Sequence, residues 1–339
     1  MGATVSPDRL LRELSELWVT LGRQDEGENG AGVLRACSMT LVVVTAEADD
    51  PMDLGETLAA LMPEHPARAI VVRIRADGER GLAARVFSQC WKPFGQRRQI
   101  CCEQVEITAS DTSLEDLRAL VLPLCVPDLP VMLWCRDGRL PWHPQFADLA
   151  AMASRIVVDS ARMGDTAPAL ERLGALVSGG MQLGDLAWTR LTRWRETLSR
   201  VFENRELQDR IGELKHAEVR FGGSAPSTAA CYMAAWVGNS LRAAGIEADV
   251  KLERDPDVAS GALGSLHLRG ENAETLQVVL QAKGGALTFQ VNGLVNCTSL
   301  AEANEYSLMR EELGIVQPDP VFETTLPSAA FFALSFVVD

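Results

Sequence analysis

The chain has 339 residues, 47% of them hydrophobic, enough for a sizeable core and about two domains rather than a disordered polymer. Its formal net charge of −14 excludes nonspecific binding to nucleic acid or to an anionic membrane, both of which need a basic surface. No apolar run reaches the roughly 18 to 20 residues of a membrane span, and the start of the chain lacks the basic opening and apolar stretch of a secretory signal.

In chain order, Leu10, Leu14, Leu17 and Leu21 recur at helical spacing and predict a helix over 7–22, which the polar, Gly-rich segment Gly22 to Gly32 ends. Strand-like runs follow at Ser38–Thr45, Ala69–Ile74, Cys101–Thr108, Val131–Cys135 and Ile156–Asp159. Helical patterns at 52–62, 79–91, 113–122, 145–153 and 166–178 alternate with them. This alternation predicts an α/β layer around a largely parallel sheet. A further helix is expected over 185–202, capped by Asp185. Beyond a charged segment at 203–215 the character changes to a strand at 217–221, a helix at 227–244 ending at Gly245, and short strands near 248–254, 264–269, 275–281, 286–291 and 294–297. The expected division is an N-terminal α/β domain, 1–202, and a C-terminal α+β domain, 203–339, built on an antiparallel meander. The second part is the more acidic, with 10 Lys and Arg against 19 Asp and Glu.

None of the eight cysteines lies in a Cys-x-x-Cys, and their spacing fits neither a zinc site nor a disulfide scaffold. Small core thiols in a reducing cytoplasm are the expectation. On a strand, Cys101 and Cys102 point to opposite faces.

The stretch 185–196 carries two tryptophans and three arginines. Read as one helix, it places Leu191, Trp194, Leu198, Val201 and Phe202 on an apolar side, with Trp188 at the margin and Arg195 projecting into the same arc. Thr189, Arg190 and Arg193 then face outward as candidate partner-binding groups, as do Arg97 and Arg98 in the loop before the Cys101 strand. Trp and Arg dominate protein–protein hot spots, yet a core helix satisfied internally explains the stretch as well. Composition leaves both readings open. Arg195 and Glu103 each sit among apolar neighbours and need a countercharge, so the two are expected to pair with each other.

At the carboxyl ends of the predicted strands, where open α/β sheets bind ligands, Arg136, Asp137, Asp159 and Ser160 form a candidate anion pocket for a sugar phosphate. Helix capping is the competing duty for such residues. There is no Gly-x-Gly-x-x-Gly, Walker sequence or Gly-x-Ser-x-Gly elbow, and the four histidines are scattered. Gly222-Gly223 reads as an isolated turn. No catalytic residue, metal site or cofactor is assigned.

Taken together, Arg35-Ala-Cys-Ser-Met-Thr-Leu-Val-Val43, His65-Pro-Ala-Arg-Ala-Ile-Val-Val72, the run from Gln96 to Glu106, the run from Leu122 to Arg136 and Asp185-Leu-Ala-Trp-Thr-Arg-Leu-Thr-Arg-Trp-Arg195 resemble the OpcA family, the glucose-6-phosphate dehydrogenase assembly proteins. Their order and spacing match over roughly the first 200 residues, which is more specific than any one motif. The resemblance implies a noncatalytic bacterial cytoplasmic protein that binds glucose-6-phosphate dehydrogenase and promotes its assembly or activation. NADP then belongs to the partner. It also implies thioredoxin-linked control in some members, for which no matching thiol is identified here. A sugar-phosphate-binding enzyme and a metabolite-sensing α/β protein are the alternatives.

Overall fold

The computed structural model describes residues 5–28, 33–76, 81–92, 99–272, 274–300 and 303–336. The chain opens with α1 (Pro7–Glu28), β1 (Val33–Arg35), β2 (Met39–Ala46), α2 (Pro51–Leu61), β3 (Ala67–Arg75), β4 (Leu82–Trp91) and β5 (Gln99–Ser110). It continues through α3 (Leu114–Val121), β6 (Val131–Cys135), α4 (Phe146–Ala150), β7 (Arg155–Val158), α5 (Thr166–Ser178) and β8 (Leu183–Asp185). Then come α6 (Leu186–Thr189), α7 (Thr192–Val201), α8 (Arg205–Asp209), β9 (His216–Phe221), α9 (Thr228–Ala243) and β10 (Asp249–Arg254). The chain ends with β11 (Leu263–Arg269), β12 (Gln277–Lys283), β13 (Ala286–Val291), β14 (Leu294–Ser299), α10 (Glu305–Gly314) and α11 (Pro320–Ser335).

These elements form two compact units. The first comprises 1–158, 181–184 and 305–314, and the second 159–180, 185–304 and 315–339. The expected boundary at 202/203 does not coincide with this division, because α5, α6 and α7 belong to the second unit and α10 returns to the first.

In the first unit the strand order is β1-β5-β3-β2-β6-β7-β8, with β4 also paired to β5. The pairs β2–β3, β2–β6, β3–β5 and β6–β7 are parallel. Leu41, Val42, Val43 and Val44 in β2 and Ile70, Val71 and Val72 in β3 are all buried, as expected of central strands covered on both faces. Pro51 opens α2, and the Asp50 carboxylate accepts from the Met52 amide, so the turn after β2 is a capped helix start.

The helix expected at 79–91 is instead a strand from Leu82 onward. It runs antiparallel to β5, with Arg85 opposite Glu106 and Cys90 opposite Cys101. Ala83 and Ala84 suit a helix, but cross-strand pairing decides the outcome: Arg85 Nε donates to Glu106 at 2.8 Å. Cys90 and Cys101 are joined by a disulfide, a pairing that the helical reading of 79–91 concealed. Among the remaining thiols, burial pushes Cys102 up to about 11 and Cys231 up to about 12, and raises Cys135 further, while Cys297 is exposed. The thiolate is the reactive form. A mass-spectrometric alkylation time course on the folded protein should therefore label Cys297 first and Cys102, Cys135 and Cys231 last; early labelling of Cys135 would contradict this burial.

In the second unit a mixed sheet has the order β10-β9-β11-β12-β13-β14. β10 runs parallel to β9, and the other neighbours are antiparallel. Ala217, Val219, Phe221, Leu266, Leu268, Val278 and Leu280 are buried, alternating with polar positions as a sheet covered on one face requires. The chain therefore has an α/β unit with a largely parallel sheet and an α+β unit with a mostly antiparallel one. Among the described residues, no helix is long and apolar enough to cross a membrane.

Candidate partner-binding surface

The Trp- and Arg-rich stretch is not one helix. The Leu191 amide bonds the Trp188 carbonyl three residues back, before α7 resumes with Arg195 bonding Leu191 four back. This tighter turn separates α6 from α7 and rotates the residues on either side of it.

Asp185 is the hub of the segment. Its side chain is fully buried; Oδ1 accepts from the Ser160 and Ala187 amides, both at 2.9 Å, and Oδ2 accepts from the Tyr232 hydroxyl at 2.7 Å. Burial, and next the charge of Asp159, raise its pKa above the usual carboxylate value. Trp188, 3% exposed, lies edge-on to Tyr232 and donates its indole N–H to Asp319 at 3.1 Å. Asp319 also accepts from the Val321 and Phe322 amides, so one carboxylate caps α11 and fixes the indole. The Arg195 guanidinium lies 3.6 Å from the Trp188 ring centre, within cation–π range, and its Nη2 donates to Thr192.

This arrangement corrects two expectations. Thr189 is buried, and its hydroxyl donates to the Asp185 carbonyl at 3.0 Å, so it is not a surface group. Glu103 does not pair with Arg195. In the first unit it accepts from Arg68 at 2.6 Å and from the Trp18 indole, and it pairs with Arg35 at 2.9 Å. Arg68 is itself buried and donates to the Leu124 carbonyl, so the strand adjoining β5 supplies the countercharge within the first unit.

Arg190 grips Asp159 through both terminal nitrogens, at 2.8 and 2.6 Å. On α7, Arg193, Glu196 and Arg200 have exposed side chains, and both arginines lie within ion-pair distance of Glu196. Arg97 and Arg98 lie outside the described residues.

The four candidate anion-pocket residues do not share a unit: Arg136 and Asp137 belong to the first, Asp159 and Ser160 to the second. Arg136 is buried and donates to Asp49, Glu305 and Thr45 at 2.8, 2.9 and 3.2 Å. Two carboxylates already occupy that guanidinium. Asp137 takes both a side-chain nitrogen and the backbone amide of Arg139, and Asp159 caps Ala161 besides holding Arg190. Capping and ion pairing account for these contacts. Among the described residues, no group of three His, Cys, Asp or Glu side chains could hold a metal.

Gly222-Gly223, expected as an isolated turn, makes a close backbone approach that the sequence did not show. A Cβ on Gly222 would lie 2.1 Å from the Ala259 carbonyl oxygen, and Gly223 has φ +109°. Only glycine permits that approach and that backbone. The signal was present as a Gly-Gly followed by Ser, Pro and a capped apolar helix.

An α/β unit and a mixed-sheet unit, with a Trp–Arg segment fixed by buried polar contacts, define a two-unit α/β and α+β protein. Residues 59–175 match the family described as the glucose-6-phosphate dehydrogenase subunit N-terminal domain, and residues 181–326 match that described as its C-terminal domain. The chain belongs to the OpcA family of glucose-6-phosphate dehydrogenase assembly proteins.

A relative from Synechococcus elongatus, described as an OxPP cycle protein OpcA, is 25% identical over 260 residues, covering 68% of this chain and 58% of that protein. A namesake from Nostoc punctiforme is 26% identical over 180 residues, 52% of this chain and 38% of the relative. The match thus spans little more than half of one relative and less than half of the other. A 3-ketoreductase from Actinomadura kijaniata is similar at a TM-score of 0.47 and 11% identity, covering 86% of this chain and 95% of that one.

Proposed function

We propose that this protein is a noncatalytic binding partner of glucose-6-phosphate dehydrogenase that favours the enzyme's active oligomer. The observation that carries the reading is the pair of matches, at 59–175 and 181–326, to domains described as parts of a glucose-6-phosphate dehydrogenase subunit. The side-chain chemistry supports it: Asp185, Trp188, Thr189 and Arg195 are spent on holding the second unit together, which leaves the α7 face to meet a partner. An activator works by binding the active state of its partner more tightly than the inactive one. NADP and glucose 6-phosphate belong, on this reading, to the dehydrogenase.

Co-purification with the cognate dehydrogenase, followed by mass measurement of the complex, tests the binding. A stable complex is expected, and no turnover of glucose 6-phosphate by this chain alone. Turnover by the isolated chain would favour an enzyme instead.

Arg193 and Arg200 have side chains 65% and 67% exposed. The double reversal Arg193→Glu and Arg200→Glu should weaken dehydrogenase binding by about tenfold, mainly through a slower, less salt-sensitive association. Melting temperature should hardly change. Unaltered association kinetics would remove α7 from the interface.

A further inference from the structure

We propose that a cavity between α2 and the β3-β5-β4 face of the first unit binds an adenine nucleotide. The cavity, about 510 Å³, is within the usual size of small-molecule sites. Side chains alternate across a strand, so the register that sets Arg85 opposite Glu106 and Phe87 opposite Gln104 puts these four, with Gln89, on one face. All five line the cavity, and Met52, Gly55 and Glu56 of α2 form its other wall.

Gln104 is the residue that points to a ligand. It is 9% exposed, its side-chain amide makes no hydrogen bond among the described residues, and the amide atoms still keep accessible surface at the cavity. The neighbouring strands explain the missing partner, because Phe87 on β4 and Ala69 on β3 offer it no polar side chain. A nearly buried amide left unsatisfied is costly. Its oxygen and NH2 present an acceptor and a donor side by side, the pair that matches the N6 and N7 edge of adenine.

The remaining groups suit the other parts of such a ligand. Phe87 supplies a ring, and the Arg85 guanidinium lies 5.8 Å from its centre; bases stack on both kinds of plane. Arg85 spends Nε and Nη2 on Glu106, whose other oxygen accepts from Arg73, while its Nη1 makes no hydrogen bond among the described residues. With a side chain 73% exposed, Arg85 can offer that nitrogen to a phosphate oxygen. On the opposite wall Glu56 is exposed and has no hydrogen bond or ion pair among the described residues, so its carboxylate can accept from ribose hydroxyls. Base, sugar and phosphate each meet a group that the fold leaves available.

The test uses the full chain without dehydrogenase, so its failure leaves the proposed function standing. Isothermal titrations compare adenosine monophosphate (AMP), NAD and cytidine monophosphate, whose base lacks the N6 and N7 edge. Saturable binding of AMP, at least tenfold tighter than that of cytidine monophosphate, is expected. NAD binding more tightly than AMP would mean that the site holds the adenine half of a dinucleotide, and AMP binding at least as tightly as NAD that it holds a free nucleotide; both outcomes support the site. Gln104→Leu removes an amide that has no partner, so the melting temperature should hold or rise while AMP binding weakens about tenfold. A Cβ at Gly55 would meet no atom within 4 Å, so Gly55→Leu leaves α2 intact, fills the cavity and should abolish binding. No saturable binding of AMP or NAD, equal binding of cytidine monophosphate, or an affinity that both variants leave unchanged would overturn the proposal.

Discussion

Replacing Asp185 by alanine is expected to cost about 3–5 kcal/mol of stability, a fall of roughly 10 °C in melting temperature. The carboxylate accepts from two amides and the Tyr232 hydroxyl in a fully buried site. Alanine leaves all three donors without a partner and out of reach of water, and each orphan costs about 1–3 kcal/mol before relaxation. Asp185→Asn separates loss of the acceptor from loss of the charge. Its carbonyl oxygen can take both amides, and its NH2 can donate to a rotated Tyr232 hydroxyl, so asparagine should retain most of the stability.

The pH dependence has a definite sign. Because burial raises the Asp185 pKa above 3.8, the folded protein holds, at pH values between the unfolded and the raised value, a proton that the unfolded chain releases. The stability linked to that proton is fully present below the unfolded value and is lost as pH rises through the raised folded value. Thermal melts from about pH 4 to 7 should therefore show a falling contribution in the wild type that Asp185→Asn lacks. An alanine variant melting with the wild type would show that Asp185 is not the hub.

The second large effect is expected at Glu103. Alanine there should cost about 3–5 kcal/mol, because it leaves Arg68 charged and buried without its carboxylate. Arg68 is 7% exposed and Glu103 4%, so water cannot replace the lost partner. The Trp18 indole loses its acceptor as well, which loosens α1. The double change Glu103→Leu with Arg68→Met removes both charges and should be tolerated better than Glu103→Ala alone. Chemical denaturation of the single and double variants measures the coupling. Additive losses would show that the pair is not energetically joined.

These two hubs show how far the sequence could be read. Glu103 and Arg195 stand among apolar residues, which was enough to say that each needs a partner. It was not enough to choose among 28 arginines, since the choice depends on strand register: β5 runs beside β3, and Arg68 is the second residue of that neighbour. The wholly apolar run Val131–Cys135 was legible as a buried strand because hydrophobicity alone decides it. Leu82–Trp91 was not, because Ala83, Ala84 and Arg85 suit a helix until β5 pairs with them.

Thr189 was misplaced for a geometric reason. Its expected outward direction assumed one unbroken helix, and the turn between α6 and α7 redirects it. The interleaving of 159–180 and 305–314 into their units is a tertiary event with no local signal. Gly222-Gly223 was visible as a turn, but its role as a close approach to Ala259 appears only once β9 and the loop at 258–261 are in place.

Activation without catalysis is tested most directly by a titration of the cognate glucose-6-phosphate dehydrogenase with this protein, following initial rate against glucose 6-phosphate concentration. The expected result is a saturable fall in the apparent KM or rise in kcat, with a plateau at a fixed stoichiometry and no rate from this protein alone. Dehydrogenase kinetics unchanged at every ratio, with its oligomer distribution equally unaffected, would contradict a role as activator.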